Sequence, residues 1–184
     1  FFGVLAPNFA SFANANTIAL NGSILIVVAC AEAIVVLTRN YDLSVGSTVA
    51  LAAYIGLDAS RLYPELGPAL ILVPIALGGL CGAVNGWLVS YGRVPSVVAT
   101  LGTMSAFRGL AYLYADGGQV DQKDLPRWVG LAVNGHVLGF AILPLIAVLV
   151  VAAVAVLLRY LPVGRQIYAI GSNPEGARLI GIRV

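Results

Sequence analysis

Long apolar runs separated by short polar turns make up most of the chain. The runs cover residues 17–38, 43–58, 68–91, 95–115 and 138–158. A helix needs about 20 predominantly apolar residues to cross a bilayer, and four of the runs reach that length. The run 43–58 has only about 16 residues and therefore predicts a short or partly unwound span that could extend through Leu62. We expect an all-α, polytopic transmembrane helix bundle with about five spans.

Composition supports a chain embedded in the lipid bilayer. Hydrophobic residues make up 60% of it and charged residues 10%, with a mean hydropathy of +0.95, whereas a soluble domain carries about 25% charged residues. A net charge of +2, without a basic patch interleaved with aromatic residues, argues against a nucleic-acid partner. The two cysteines, Cys30 and Cys81, lie within apolar runs and are expected to be buried core residues.

The two ends of the chain have different characters. Residues 1–16 mix phenylalanines with proline and asparagines, which suits a membrane interface better than a span. The chain begins at Phe1, lacks a charged leader segment, and ends at Val184 soon after a predicted helix. We expect a single transmembrane domain over residues 1–184 that is incomplete at both ends.

Arginine and lysine residues predict the orientation of the spans. With the tail placed inside, the inner segments hold six positive residues, Arg39, Arg93, Arg159, Arg165, Arg178 and Arg183. The outer segments hold three, Arg61, Lys123 and Arg127. Because cytoplasmic loops carry the excess of positive residues, residues 1–16 and 116–137 are expected outside and 159–184 inside.

The tail, residues 159–184, carries the start signal of a short helix. Asn173 suits the N-cap, Pro174 the first helical position, and Glu175 the positive end of the helix dipole. Gly181 suits the end of this helix. The expected apolar stripe consists of Ala177, Ile180 and Ile182. A helix of about two turns is not stable alone in water, so we expect it to dock on a soluble partner.

Two ionisable residues lie inside predicted spans. A charge there costs about 2.5–3.5 kcal/mol on insertion scales and usually faces a bundle interior or a cavity. Glu32 lies ~9 Å from the inner end of its span and is expected inside the bundle. Arg108 lies ~10 Å from the outer end of its span, and its long side chain offers an alternative, snorkelling to the outer interface.

Neutral polar residues within the spans are candidates for a path taken by a hydroxyl-rich solute. They are Ser44, Asn85, Thr100, Thr103 and Ser105. Hydrogen bonds between helices explain them about as well. A separate stripe of Gly78, Gly82 and Gly86, spaced by four, predicts close helix packing. Gly102 and Ala106, also four residues apart, form a similar small-residue pair on the next run.

Known catalytic and metal-binding motifs are missing from the sequence. It has no Cys/His cluster, no paired carboxylates, and neither Ser-x-x-Lys nor Gly-x-Ser-x-Gly. It also lacks the Gly-x-x-x-x-Gly-Lys-[Ser/Thr] phosphate loop, so we do not expect it to hydrolyse a nucleotide. We therefore expect no catalytic residue, metal or bound cofactor, and an energy source on another polypeptide.

Several stretches, in order along nearly the whole chain, are similar to one known family. They are Asp42-Leu43-Ser44-Val45-Gly46-Ser47, Asn85-Gly86-Trp87-Leu88-Val89, Pro95 through Met104, Arg108-Gly109-Leu110-Ala111, and the tail with Gly164-Arg165, Tyr168-Ala169-Ile170-Gly171 and Asn173 through Ala177 to Gly181-Ile182. Each stretch is weak alone, but their order and spacing are specific. Together they resemble the permease subunit of bacterial ABC sugar importers of the ribose, xylose and arabinose type.

The resemblance implies a multi-pass permease of the bacterial inner membrane. It also implies a homodimer, a cytoplasmic subunit that binds ATP-Mg, a periplasmic sugar-binding protein, and about ten spans in a full subunit, of which this chain would be a part. Residues 1–16 and 116–137 would then be periplasmic. The coupling segment for the ATPase would be 159–184, with Asn173, Pro174, Glu175, Ala177, Arg178 and Gly181. Gly176 departs from the expected Ala and weakens this helix by ~1 kcal/mol.

The expected function is passage of a sugar, most simply a monosaccharide, through an ATP-driven importer. The first alternative is a permease of the same superfamily for branched-chain amino acids or nucleosides. A second is an ion-coupled secondary transporter in which Glu32 is the proton or sodium site. A third is a purely structural membrane anchor, against which Glu32 and the long outer loop argue mildly.

Overall fold

The computed structural model describes residues 9, 11–137 and 139–184, apart from the side chain of Gln122. The long helices are α1 (Phe12–Leu37), α2 (Val45–Leu62), α3 (Leu72–Ser90), α4 (Ser96–Ala115) and α6 (Ile142–Tyr160). The short helices are α5 (Arg127–Asn134), α7 (Pro162–Ser172) and α8 (Pro174–Leu179). Two 3-10 segments, Pro64–Ile71 and Gln122–Asp124, and a two-stranded hairpin of β1 (His136–Val137) and β2 (Phe140–Ala141) complete the described chain.

The prediction of an all-α transmembrane helix bundle is confirmed. Each of the five apolar runs contains one long helix. By length and composition, three helices within the described residues could cross a membrane: Phe12–Leu37, Ile142–Tyr160, and Pro64–Ser90, which includes the first 3-10 segment. The run predicted to be short or partly unwound is a continuous helix of 18 residues that reaches Leu62.

The chain divides into two compact units, which we describe separately. The first unit is made of residues 1–39 and 132–184, and the second of residues 40–131. In the first unit, α1 packs along α6, and α7 contacts both α6 and α1. The hairpin joins this unit where Ala141 N donates to Asn16 Oδ1 at 3.1 Å and the rings of Phe12 and Phe140 meet edge to face.

In the second unit α2 packs against both α3 and α4. Its apolar core is formed by Leu51, Cys81 and Phe107, one from each helix, with Ile55 and Ala111 packed beside them. The same packing places Asn85 and Thr103 close to Ser44, the residue before α2, so the fold of this unit positions these polar side chains.

The structure corrects the sequence prediction at two segment boundaries. Helix α1 begins five residues before the predicted span because Ser11 caps it, its Oγ accepting from Asn14 N at 3.2 Å. The segment predicted as a polar outer loop, 116–137, contains α5 and the first hairpin strand, so the last span begins at Ile142. The predicted interface segment 1–16 lies largely outside the described residues.

Helix α7 was not predicted. The region before Asn173 reads as a basic, polar stretch, but Leu161 is extended and Pro162 occupies the first turn of a new helix. Proline suits that position because its missing N–H would be unpaired there in any case. The tail is therefore two consecutive helices, α7 and α8, which we call the tail element.

Candidate functional site

Helix α8 begins as the sequence predicts. Asn173 is its N-cap with extended backbone, and its side-chain Oδ1 accepts from Gly176 N at 3.0 Å. Pro174 follows in the first turn, and Ala177 N donates to Asn173 O at 2.9 Å. The cap satisfies a backbone donor that the first turn of a helix would otherwise leave unpaired.

A C-terminal glycine motif ends α8. Ile182 N donates to Ala177 O and Gly181 N donates to Arg178 O, both at 3.0 Å. This pair of bonds, with Gly181 at φ +83°, is the Schellman arrangement that satisfies the last carbonyls of a helix. A side chain at residue 181 would be strained in this backbone conformation, so the glycine at the helix end has a defined structural role.

The apolar side chains of α8 do not form the predicted stripe. Ala177 is buried at 3% exposure, whereas Leu179 and Ile180 are 88% and 74% exposed. The stripe prediction was wrong because the helix ends at Leu179, so Ile180 lies in the capping turn rather than on the helical face. The result is an exposed apolar pair beside the Glu175–Arg178 ion pair, whose atoms are 3.8 Å apart.

The tail element is fastened to the end of α1 by Arg39. The guanidinium donates from Nε to Gly171 O at 2.5 Å and from Nη2 to Ser172 O at 2.7 Å. Both carbonyls belong to the last turn of α7, where helix carbonyls lack intrahelical partners. Sequence reasoning used Arg39 only as an inner positive charge, and nothing local to Arg39 indicates this contact.

A polar network links the three helices of the second unit, and we call it the helix-linking network. Thr103 Oγ1 donates to Asn85 Oδ1 at 2.7 Å, Asn85 Nδ2 donates to Ser44 Oγ at 2.8 Å, and Ser44 Oγ donates to Asp42 Oδ1 at 2.6 Å. Asp42 also accepts from Ser44 N at 2.8 Å. Ser44, Asn85 and Thr103 are buried, so this chain of bonds pairs groups that would be costly to leave unsatisfied.

Thr100 adds a second polar contact on α4. Its hydroxyl donates to Ser96 O at 2.8 Å, within the same helix, and lies 3.4 Å from Tyr41 O. Tyr41 N in turn donates to Ser96 Oγ at 3.3 Å. Asn85, Thr100 and Thr103 were expected either to line a path or to join helices. The Thr103–Asn85 bond joins α4 to α3, whereas Thr100 bonds within α4 and to Tyr41 in the turn before α2. Asp42, which anchors the network, was missed, although an Asp two residues before Ser44 is a common turn signal.

Arg108 lies apart from this network. It is exposed and lines a cavity of about 290 Å³ together with Ser47, Tyr54, Tyr112 and small residues of α2 and α4. A larger cavity of about 390 Å³ in the same unit is lined by apolar side chains, including Leu80 and Leu110, and by Tyr114. The Arg108 cavity is therefore lined in part by polar side chains, whereas the larger cavity is lined almost entirely by apolar ones.

A buried carboxylate lies near the C-terminal end of α2. Asp58, 8% exposed, accepts from Arg61 Nη2 at 2.7 Å and from Tyr114 Oη at 3.0 Å. The ring of Tyr114 also meets Tyr54 edge to face, with centroids 5.9 Å apart. These contacts fix the end of α2 against α4 and hold Tyr54 beside the Arg108 cavity.

The other predicted residues are not brought to a common site. Glu32 is half-buried on α1, in the first unit. A Cβ added at Gly78, Gly82 or Gly86 would meet no atom within 4 Å, so this stripe packs against no described part of the chain. Its role in helix packing stays a prediction. Within the described residues no group of His, Cys, Asp or Glu side chains could hold a metal ion.

Comparison with known proteins identifies the family. Residues 14–184 match the family described as branched-chain amino acid transport system / permease component. The chain belongs to this permease family. Together with the apolar helices, this membership makes it a multi-pass protein of the bacterial inner membrane.

Several similar proteins are named as import permeases. The chain is 39% identical to the autoinducer 2 import system permease protein LsrC of Enterobacter sp. (strain 638), a match over 100% of this chain and 53% of the relative. It is 36% identical to the ribose import permease protein RbsC of Haemophilus influenzae, over 98% of this chain and 56% of the relative. RbsC of Escherichia coli (strain K12) is 34% identical, over 98% of this chain and 56% of the relative. The chain thus spans about half the length of these relatives. No solved structure matches the chain significantly.

Proposed function

We propose that this chain is the membrane-spanning part of an ATP-driven importer for a small sugar-like solute. Family membership and the import permeases among its relatives support this function. ATP-Mg binding and hydrolysis belong to a separate cytoplasmic subunit, because the sequence has no phosphate loop. A periplasmic binding protein delivers the solute, and a second permease copy completes the pathway.

The observation that carries the proposal is the tail element. Its short α8 is capped at both ends and exposes Leu179 and Ile180 beside the Glu175–Arg178 pair. A two-turn helix needs a partner for stability, and exposed apolar side chains rimmed by charges are typical of a protein-binding surface. We place the ATPase subunit on this surface, with Asn173, Pro174, Ala177 and Gly181 shaping the helix and Glu175 and Arg178 flanking it.

A co-purification and transport experiment tests the role of the tail. The importer subunits are co-expressed with the full-length permease and reconstituted in proteoliposomes. The double variant Leu179→Ser, Ile180→Ser is expected to lose the ATPase subunit and ATP-driven uptake. The matched control, Leu145→Ser, changes another exposed apolar residue, on α6. Equal retention of the ATPase subunit in both variants would refute the docking surface.

We assign the solute path to the Arg108 cavity. An arginine held inside the membrane usually faces a cavity or a pathway, and here it borders one together with Tyr54 and Tyr112. Five guanidinium donors suit the hydroxyl oxygens of a sugar. The relatives' names favour autoinducer 2 or ribose as solutes, and the family description favours branched-chain amino acids.

Uptake measurements separate these solutes and test the path. Radiolabelled ribose and leucine are supplied with the binding protein, and ATP-driven accumulation of one of them identifies the solute class. Arg108→Ala is expected to reduce uptake about tenfold, a typical effect of removing an important polar contact. Leu113→Ala, at an exposed residue of the same helix that does not line this cavity, is the control. Normal uptake by Arg108→Ala would move the path elsewhere.

A further inference from the structure

We propose that Arg39 is a positioning residue that couples the tail element mechanically to helix α1. The inference rests on the proposed function and names the contact through which a displacement of α8 reaches a membrane span. Arg39 is separated from its two acceptors by 132 and 133 residues along the chain, so the contact is purely tertiary.

The geometry of the guanidinium suits this role. Its Nε and Nη2 atoms hold two successive carbonyls, Gly171 O and Ser172 O, in the last turn of α7. A planar group with several donors fixes both the distance and the direction of the helix end, which one ammonium group cannot do. A positive charge at the carboxyl end of a helix also complements the negative end of its dipole.

The backbones of α7 and α1 are also in direct contact beside Arg39, and we call this contact region the junction. A Cβ added at Gly171 would overlap the carbonyl oxygen of Leu37, so the backbone of α7 lies directly against the last turn of α1. Arg39 follows that turn with φ +62°, and its N–H donates to Val36 O at 2.9 Å. The side chain that holds α7 is therefore anchored within the capping turn of α1.

The position of the junction makes it a transmission point. Only Asn173 separates the end of α7 from the first residue of α8. A displacement of α8 therefore acts two and three residues from the carbonyls that Arg39 holds. With this contact in place α1 follows the tail element, and without it the tail bends about Leu161, the extended residue between α6 and α7.

The test uses the complete importer in proteoliposomes with its ATPase and binding protein. Arg39→Ala removes the contact, and Arg39→Lys retains a positive charge without the two-pronged donor. The matched control is Arg93→Ala, because Arg93 is also exposed, also has a positive φ (54°), and is also expected on the inner side. Three quantities are measured: ATPase subunit retained, ATP hydrolysed, and solute taken up.

A coupling role predicts a specific combination of results. Arg39→Ala retains the ATPase subunit and hydrolyses ATP within about twofold of wild type, but solute uptake per ATP falls about tenfold, a usual size for coupling between sites. Arg39→Lys gives an intermediate ratio and confirms that loss of folding is not the cause. Arg93→Ala keeps the wild-type ratio.

Other outcomes overturn the inference. If Arg39→Ala and Arg93→Ala transport equally per ATP, Arg39 has no coupling role. If Arg39→Ala loses the ATPase subunit, the residue serves docking rather than transmission. An absence of ATP-driven uptake in the wild-type complex would instead refute the proposed function, so the two failures are distinguishable.

Discussion

Thr103 on α4 donates its hydroxyl proton to Asn85 Oδ1 on α3 at 2.7 Å. Both side chains are buried, and the amide of Asn85 continues the chain of bonds to Ser44. The two helices, which are consecutive in the chain, are thus joined by a directional polar contact. Because Asn85 uses both ends of its amide, it cannot be replaced without leaving a partner unpaired.

Removing the hydroxyl of Thr103 tests this contact. Thr103→Val retains the shape and leaves Asn85 Oδ1 buried without a donor, which costs about 1–3 kcal/mol. Thermal unfolding of the purified protein in detergent is expected to shift to lower temperature. Ser105→Ala is the control, since the Ser105 hydroxyl is exposed and bonds only within its own helix. Equal melting temperatures for the two variants would contradict the network.

Gly171 is expected to tolerate no side chain. Gly171→Ala places a Cβ against Leu37 O and forces α7 away from α1, which we expect to cost more than about 1–3 kcal/mol, as overpacking does. Gly22→Ala on α1 is the control. Its Cβ meets nothing within 4 Å, so it should be neutral or stabilise by about 0.5–1 kcal/mol. Trypsin cleavage at Arg165 and Arg178 measures release of the tail, and unchanged cleavage in Gly171→Ala would contradict the close approach.

The N-cap of α8 gives a local prediction. Asn173→Ala leaves Gly176 N without its side-chain acceptor and weakens the helix by about 0.5–2 kcal/mol. Hydrogen exchange at the amides of Gly176 and Ala177, read by mass spectrometry, should accelerate several-fold. Asn173→Asp retains the acceptor and adds a negative charge at the positive end of the helix dipole, so it should preserve protection. Faster exchange in both variants would mean that the cap does not stabilise α8.

The phenol of Tyr114 is expected to stabilise the end of α2. Tyr114→Phe removes the donor to Asp58 Oδ2, while Arg61 still holds the other carboxylate oxygen. A hydrogen bond to a charged group contributes about 1.5–3 kcal/mol, so the melting temperature should fall. Tyr112→Phe, two residues away and 73% exposed, is the matched control. An equal melting temperature in the two variants would show that Asp58 does not need the phenol.

Hydrophobic runs and capping residues were sufficient to predict the five long helices and both ends of α8. Apolar runs of about span length predicted the five long helices. Unpaired backbone N–H and C=O groups are costly in lipid, and a helix pairs them within one segment. The residues Asn173-Pro174 and Gly181 predicted both ends of α8, since caps act within a few residues of chain. Helix α7 was missed because its composition is mixed and its start depends on the extended conformation of Leu161.

By itself, then, the sequence determined much of the local structure: that each long apolar run is helical, where α8 starts and stops, and that the chain belongs in a membrane. Only the tertiary structure decided which polar groups meet. Asn85 and Thr103 lie on α3 and α4 and bond to Ser44 and Asp42 just before α2, and Arg39 contacts Gly171 across 132 residues. The physical reason is range: propensity and capping depend on neighbours in sequence, whereas a hydrogen bond or a close backbone approach depends on how whole helices pack.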